Sequence, residues 1–254
     1  MTVTLVVIAG LVAAAGVVTV SAREPRLAAL GGIAAMAGSA YLADPLPDLV
    51  AIAARLTGAV LAGYLIWISL RDADAPTAGW QIGWPGAAAV VTAAFVIGWL
   101  AADALGNDLA TVSGEGPSTA GVASALAAGS LAPRAGIGAA AALVAVSAAP
   151  ILITRDVLRL GLGLLLVLSA ADLVRHALAA EPDRTVELGM AVVFAISGAA
   201  VAGLVSGSLR RFGDLVVRPG RGGRFAIRHR SADEAHPGHA RQEAPADAQA
   251  DPAE

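Results

Sequence analysis

Several stretches of this sequence contain no charged side chain, and each is long enough to cross the hydrocarbon core of a membrane. Among them are residues 1–22, 27–43, 135–154 and 188–209. A helix of roughly 17–25 apolar residues spans the hydrocarbon layer, which is about 30 Å thick. Only 15% of the 254 residues are charged and 57% are hydrophobic, whereas an ordinary soluble domain has about 25% charged residues. Because a soluble fold does not need several such stretches in series, the sequence predicts an all-α, polytopic integral membrane helix bundle.

Charged residues and Pro or Gly breaks divide the hydrophobic sequence into about seven transmembrane helices. We expect these helices at residues 2–21, 27–43, 49–70, 85–105, within 117–154, 157–179 and 186–209. The segment 117–154 is too long for one crossing and slightly short for two crossings with a loop. Pro133 and Gly136 divide it. The residues therefore leave open whether this segment crosses the membrane once or twice.

The distribution of Arg residues predicts the orientation of the helices, because cytoplasmic loops carry an excess of basic residues. Residues 206–230 end the last helix and contain seven Arg, so the C-terminus should be cytoplasmic. If 117–154 crosses once, the loop with Arg23 and Arg26 is also cytoplasmic; if it crosses twice, that loop lies outside. Seven crossings, with the N-terminus outside and the C-terminus inside, fit better. All 17 basic residues are Arg, which is typical of a GC-rich genome, and we expect the cytoplasmic membrane of a bacterium.

The expected organisation has three parts: a bundle over residues 1–209, an Arg-rich cytoplasmic juxtamembrane segment at 210–230 and a disordered tail at 231–254. The tail is rich in Ala, Asp, Glu, Pro and His, and such a composition does not bury enough apolar surface to fold. The Arg-rich segment could bind anionic lipid headgroups through Arg210, Arg211 and Arg218, at about 1 kcal/mol per Arg. The simpler interpretation of this segment is an orientation signal only.

Five ionisable residues lie within or at the ends of the predicted helices, where charges are costly and usually face the bundle interior. They are Arg55, Asp103, Asp172, Arg175 and His176. The expected topology places all five in the outer half of the membrane. Arg55 and Asp172 should then lie within several Å of each other in depth, so they could form an ion pair. Asp172 and Arg175, three residues apart on one helix, are the local competitor for that pair.

This group of charges has two interpretations. The first is a proton or ion relay, in which Asp172 carries the proton and the Arg residues tune its pKa. The second is an ion pair that locks two helices, with Arg175 extending to the outer surface. The inner half of the bundle offers isolated hydroxyls, on Thr19, Thr92 and Ser147. Because a relay across the bilayer needs polar groups in both halves, the locking pair is favoured.

Several chemistries are excluded or not indicated by the sequence. There are no cysteines, which excludes disulfides, thiolate metal ligands and thiol nucleophiles. The sequence also lacks the nucleotide-binding G-x-x-x-x-G-K-[ST], the zinc-binding H-E-x-x-H and the hydrolase G-x-S-x-G motifs. We expect no metal, no cofactor, no nucleic-acid partner and no catalytic activity of this chain alone. The spacing from Gly203 to Gly207 would allow close helix approach, although this is a weak signal in a chain with 29 Gly.

The C-terminal part of the sequence resembles a known family of membrane proteins. Residues 155–159, RDVLR, followed by 161–173, GLGLLLVLSAADL, are similar to the second helix of the K-type subunit of NADH-quinone oxidoreductase. They resemble more strongly the related E-type membrane subunit of hydrogenase-4 and formate hydrogenlyase complexes. Residues 187–211 are similar to that family's last helix, and 26–71 to its second and third helices. The K-type resemblance covers residues 135–209.

The resemblance implies a membrane-arm subunit, located between antiporter-like proton-pumping subunits and a peripheral redox module. K-type subunits carry carboxylates in the middle of two helices, but the matching positions here are Gly163 or Leu168 and the region 195–197. The implied role is therefore structural, or assisting proton translocation, rather than catalytic. A stand-alone small-solute transporter and an orphan membrane scaffold protein remain the alternatives.

Overall fold

The computed structural model describes residues 2–42, 48–71, 83–112, 131–154, 156–178, 184–212 and 215. Within these ranges the chain forms seven α-helices, which confirms the prediction of an all-α fold. They are α1 (Thr2–Ser21), α2 (Pro25–Ser39), α3 (Leu49–Ser69), α4 (Gly83–Val112), α5 (Leu131–Ile153), α6 (Val157–Leu178) and α7 (Arg184–Phe212).

Six of these helices are long and apolar enough to cross a membrane, as a multi-pass membrane protein requires. The helix below that length is α2, which has 15 residues and is therefore roughly 22 Å long. It ends at Ser39, earlier than the expected residue 43, because the backbone turns over residues 40–42. The helix α4 continues to Val112, beyond the expected residue 105. Its apolar stretch long enough to cross a membrane is Gly83–Ala104, so Asp103 lies at the end of that stretch, as expected.

The segment 117–154 contains one described crossing, α5, which begins at Leu131. Pro133 lies in the first turn of α5, so α5 begins before it and is not interrupted there. Proline is tolerated there because the first turn of a helix has no backbone acceptor for its N–H. Residues 113–130 lie outside the described ranges. Among the described helices, α4 ends on the side of the bundle where α5 begins, which fits the single crossing favoured by the sequence.

Consecutive helices run in alternating directions through the bundle. Two contacts for each pair of helices show this. They are Gly38 with Val12 and Gly31 with Thr19 between α1 and α2, Arg26 with Arg71 and Gly63 with Ile33 between α2 and α3, and Asp103 with Arg134 and Gly98 with Ile137 between α4 and α5. The remaining ones are Gly136 with Ala177 and Gly163 with Pro150 between α5 and α6, and Asp172 near Glu187 and Gly161 with Val201 between α6 and α7. The start of α1 and the end of α7 therefore lie at opposite ends of the bundle.

The two ends of the bundle differ in charge. The end where α7 finishes, called the Arg-rich end, holds six Arg and two acidic residues among the side chains described: Arg23, Glu24, Arg26, Arg71, Asp156, Arg159, Arg210 and Arg211. The opposite end, where α1 begins, holds four Arg and four acidic residues: Asp48, Arg55, Asp103, Arg134, Asp172, Arg175, Arg184 and Glu187. Basic residues are therefore in excess at one end only.

The helix α6 lies between two hydrophobic clusters and contributes to both. Leu166, Ala170 and Leu173 pack into a cluster with α1, α4 and α5. Leu158 and Leu162 pack into a second cluster with α2, α3 and α7. The outward faces of the helices expose many large hydrophobic side chains, among them Leu11, Val60, Ile97 and Ile196. Such a surface suits contact with lipid, because a soluble monomer rarely exposes large apolar patches.

The helices α3 and α7 run in the same direction and approach each other closely at two glycines. A Cβ atom on Gly58 would come within 2.6 Å of the Ala191 carbonyl oxygen, and a Cβ on Gly198 would overlap Ala62. Small residues of this kind let two backbones pack directly in membranes. The predicted small-residue motif at Gly203 and Gly207 faces outward instead, since a Cβ at either position would meet nothing within 4 Å.

Replacement of Gly198 should weaken the bundle. We expect Gly198→Leu to lower the free energy of unfolding by about 1–3 kcal/mol, because the added atoms force α3 and α7 apart. The measurement is thermal unfolding in one mild detergent. Gly203→Leu is the matched control, since it adds the same side chain to the same helix at an open position. Equal midpoints for the two variants would contradict the close contact.

Candidate functional site

Five charged or titratable side chains form a network at the end of the bundle opposite the Arg-rich end. The charged network consists of Arg55 on α3, Asp172, Arg175 and His176 in the last two turns of α6, and Glu187 in the first turn of α7. Because α6 runs opposite to α3 and α7, its last turns meet the first turns of those two helices. The most enclosed members are Arg55, Asp172 and Glu187, which are 2%, 1% and 0% exposed.

The Arg55 side chain connects α3 to both neighbouring helices. Its Nη2 donates a hydrogen bond to Asp172 Oδ2 on α6. Its Nη1 lies 3.4 Å from Glu187 Oε2 on α7 and 3.1 Å from His176 Nε2. The Arg55–Asp172 pair considered from the sequence therefore forms and joins α3 to α6. Because Arg55 also lies close to Glu187, the same side chain connects α3 to α7.

Arg175 binds the same two carboxylates from the outer side of the network. Its Nε and Nη2 lie 3.2 Å and 3.1 Å from Asp172 Oδ1, and Nη2 also donates to Glu187 Oε1. Its side chain is 27% exposed. The sequence presents the two Asp172 pairs as competitors, but they coexist because the two oxygens of the carboxylate face different guanidinium groups. Arg175 does not simply extend to the surface.

The His176 ring has two possible sets of hydrogen bonds. Nδ1 lies 2.8 Å from the Asp172 backbone oxygen, so Nδ1 carries a hydrogen and donates it. Nε2 lies 3.1 Å from Arg55 Nη1 and 2.8 Å from Glu187 Oε1. Nε2 is therefore close enough to hydrogen-bond with either Arg55 or Glu187. The two Arg and the two carboxylates of the network balance in formal charge, which lowers the cost of burying them.

Asp103 lies outside the charged network. Its Oδ1 pairs with Arg134 Nη2 at 2.6 Å, and the two side chains are 39% and 21% exposed. This pair joins α4 to α5, whereas the network joins α3, α6 and α7. The structure thus brings together four of the five ionisable residues selected from the sequence.

Sequence reasoning missed Glu187 as a member of the network. It lies immediately before a window without charges, from residue 188 to 209, so in the sequence it resembles the edge of the last helix. The same depth argument that paired Arg55 with Asp172 would have placed Glu187 at that level, because α7 begins on the side where α6 ends. Three residues past its start at Arg184, the helix has already carried Glu187 into the protein interior.

Outside the charged network, the Arg159 side chain is also buried. It lies near the Arg-rich end, where the sequence indicates only a basic turn. Its guanidinium donates to the backbone oxygens of Val20 and Ala22, the latter at 2.6 Å. These carbonyls end α1 and have no partner within that helix, so Arg159 caps it. Asp156 accepts from the Leu158 N–H at 3.0 Å and lies 3.6 Å from Arg159 Nε.

The two buried groups of charges are separated by apolar side chains. Asp172 follows Arg159 by thirteen positions along α6, a distance of about 20 Å. The buried hydroxyl in that interval, on Ser169, donates to the Leu165 carbonyl of its own helix. Thr19 and Ser147 likewise bond to carbonyls of their own helices. Within the described ranges, these hydrogen bonds do not connect one end of the bundle to the other.

The described residues give no indication of a metal site, and the chain has no match among known proteins. Across the part of the chain that the structure describes, no three His, Asp or Glu side chains are grouped so that they could bind a metal ion. Comparisons with protein-family models, curated proteins and solved structures gave no match. Of the three expected lipid-binding residues, Arg210 and Arg211 are exposed in the last turn of α7. Arg218 and the tail 231–254 lie outside the described residues.

Removal of one cation from the charged network should destabilise the protein strongly. We expect Arg55→Met to cost about 3–5 kcal/mol of unfolding free energy, because Asp172 and Glu187 would then share a single guanidinium in a buried site. The double variant Arg55→Met/Asp172→Asn restores the charge balance and should lose less than the sum of the two single changes. Unfolding in one detergent by a chemical denaturant measures all three variants.

The Asp103–Arg134 pair provides the control for this experiment. Asp103→Asn should cost less than about 1 kcal/mol, because this pair is partly exposed and its loss leaves no enclosed charge. Strictly additive effects of Arg55→Met and Asp172→Asn would show that the two side chains are not coupled.

Proposed function

We propose that this chain is a non-catalytic subunit in the membrane arm of a hydrogenase-like or complex I-like ion-translocating redox assembly. In this role the charged network holds α3, α6 and α7 together and does not carry protons across the membrane by itself. The observation that carries the structural role is the apolar interval of about 20 Å along α6 between Asp172 and Arg159. The assignment to a redox assembly is supported by the resemblance of residues 155–173 and 187–211 to the E-type membrane subunit of hydrogenase-4.

The contacts of the charged network favour a lock over a relay. A relay needs a carboxylate that releases its proton to a next acceptor, whereas Asp172 and Glu187 each contact both Arg55 and Arg175. Each carboxylate therefore has two guanidinium groups as its neighbours. Separation of the three helices would leave these charges unpaired in an apolar interior, which is costly. The network therefore suits a rigid junction within the membrane arm.

We further propose that the chain crosses a bacterial cytoplasmic membrane seven times, with the N-terminus outside and the C-terminus inside. The alternating helix directions and the excess of basic residues at the Arg-rich end support this orientation. The helix α2 would be the seventh crossing although it is short. It packs against α1, α3 and α6, so neighbouring protein would cover much of its surface, and modest local thinning of the bilayer accommodates short helices.

A stand-alone transporter is the main alternative to this proposal. Transporters commonly bind substrate at mid-membrane, where discontinuous helices expose polar backbone groups. In the described ranges α6 is continuous from Val157 to Leu178, and Pro133 lies at the start of α5 rather than in its middle. These observations do not favour a transporter.

The proposal makes a prediction for the isolated chain. Proteoliposomes that contain this protein alone should show the same proton leak as empty liposomes, within about twofold, because the described interval of α6 between Arg159 and Asp172 has no ionisable side chain to move a proton. A pH-sensitive dye inside the vesicles measures the leak. Mass spectrometry of material purified from the native membrane in mild detergent should identify antiporter-like subunits. Proton flux that Asp172→Asn abolishes, or purification without partners, would contradict the proposal.

The orientation can be tested by cysteine labelling, because the chain contains no native cysteine. Glu24→Cys lies at the Arg-rich end and should react with a membrane-impermeant maleimide only when the cytoplasmic side is accessible. Arg184→Cys lies at the opposite end, where the Arg184 side chain is 60% exposed, and should react from the outside. Gel shifts in right-side-out and inverted vesicles measure both reactions. Labelling of both positions from the same side would contradict seven crossings.

A further inference from the structure

An apolar cavity of about 470 Å³ lies on the surface of the bundle between α1 and α4. Its volume is within the range of about 300–1,000 Å³ that is usual for ligand-binding pockets. The cavity exists because small residues line it where larger ones would fill it: Gly10, Ala13 and Ala14 on α1 and Ala88 on α4. A Cβ on Gly10 would meet nothing within 4 Å, so the space beside it is open.

The chemistry of this groove suits a hydrocarbon chain. The polar groups among its lining side chains are the Trp84 indole N–H and the Thr92 hydroxyl, and the Thr92 hydroxyl donates to the Ala88 carbonyl at 2.8 Å. Thr92 therefore has its donor satisfied, and an apolar occupant leaves that donor bonded. Charged residues are absent from the residues that line the groove. A polar or ionic solute would find no partner along these walls, whereas an alkyl chain would need none.

The length and position of the groove indicate how far into the membrane its occupant reaches. Along α4 the lining extends from Trp84, in the first turn, to Phe95, which is about 17 Å. One leaflet of a bilayer has a hydrocarbon depth of about 15 Å. Along α1 the lining extends from Val6 to Val18, a distance of about 18 Å. A groove of this length accommodates one acyl chain.

The end of the groove that contains Trp84 lies at the Arg-rich end of the bundle. Trp84 is 70% exposed there, and tryptophan favours the interface between lipid headgroups and hydrocarbon. Arg23 lies at the same end, two residues after α1 finishes, and is exposed. Leaving out the buried Arg159 and Asp156, the described side chains at this end comprise five Arg and one acidic residue, Glu24, an excess that complements a negative headgroup.

We propose that the groove between α1 and α4 is a binding site for one anionic phospholipid of the leaflet at the Arg-rich end. One acyl chain lies against Gly10, Ala14 and Ala88, and the headgroup lies level with Trp84 among the Arg residues. The site depends on insertion of the bundle in a membrane and not on membership of a redox assembly. Lipid bound there covers part of α4. Its span is 22% buried within the protein, which is the smallest buried share among the six membrane-length helices.

The test measures bound lipid by native mass spectrometry. Purified protein is incubated with equal amounts of phosphatidylglycerol and phosphatidylcholine that carry identical acyl chains, and is then washed with mild detergent. The wild-type protein should retain about one phosphatidylglycerol and prefer it over phosphatidylcholine at least fivefold. Gly10→Leu fills the groove and should reduce retention at least tenfold. Ala14→Leu, which fills the same groove from the next turn of α1, should act in the same way.

Gly203→Leu is the matched control for this test, because it adds the same side chain to an open helical position away from the groove. It should retain lipid like the wild-type protein, and all variants should show similar unfolding midpoints. Three results would each overturn the proposal: equal retention by Gly10→Leu and Gly203→Leu, equal retention of the two lipids, or crosslinking of a photoreactive residue at position 14 to a protein helix instead of lipid. Because the readout is bound lipid, failure here is distinguishable from failure of the proton-leak and partner experiments.

Discussion

The rest of this bundle depends on the need to pair two carboxylates that are buried among three helices. Asp172 and Glu187 are tolerable in an apolar interior because Arg55 and Arg175 both reach them. This pairing fixes the relative depth of α3, α6 and α7, since a shift of one turn along any axis would separate the charges. The close backbone contact of α3 with α7 at Gly58 and Gly198 has the same register. Charge pairing and steric fit thus require one arrangement of these helices.

The opposite end of α6 is fixed by different chemistry. There Arg159 satisfies the free carbonyls that end α1, and Asp156 caps the start of α6. Both ends of α6 are therefore bound to other helices by buried polar groups, while its middle packs into the two hydrophobic clusters. A central helix that other helices hold at both ends, with apolar side chains between them, suits a rigid element. This arrangement is the basis for proposing a structural role rather than proton transfer.

The periphery of the bundle is less constrained than its centre. α4 packs against α1 and α5 but leaves a groove beside α1, where small residues face each other. In water this apolar opening would be unfavourable, and in a bilayer it is a place for hydrocarbon. The same reasoning applies to the outward glycines of α7, which leave a flat surface without a described partner in this chain. The proposed rigid role and lipid site therefore belong to different parts of the molecule.

Hydropathy and helical rise, read from the residues alone, were sufficient to predict the all-α membrane-type fold and the common depth of Arg55 and Asp172. They also placed most ends of six helices within a few residues of the observed ends. These properties are local to each segment, so no knowledge of its neighbours is needed. The residues alone did not show that Glu187 joins the network, that Arg175 turns inward, or that Asp103 pairs elsewhere with Arg134. Those outcomes depend on which face each helix turns toward its neighbours. The rotation of each helix about its axis depends on contacts between side chains that are distant in the sequence. It also depends on the small residues that allow close contact, and only the tertiary structure brings these together.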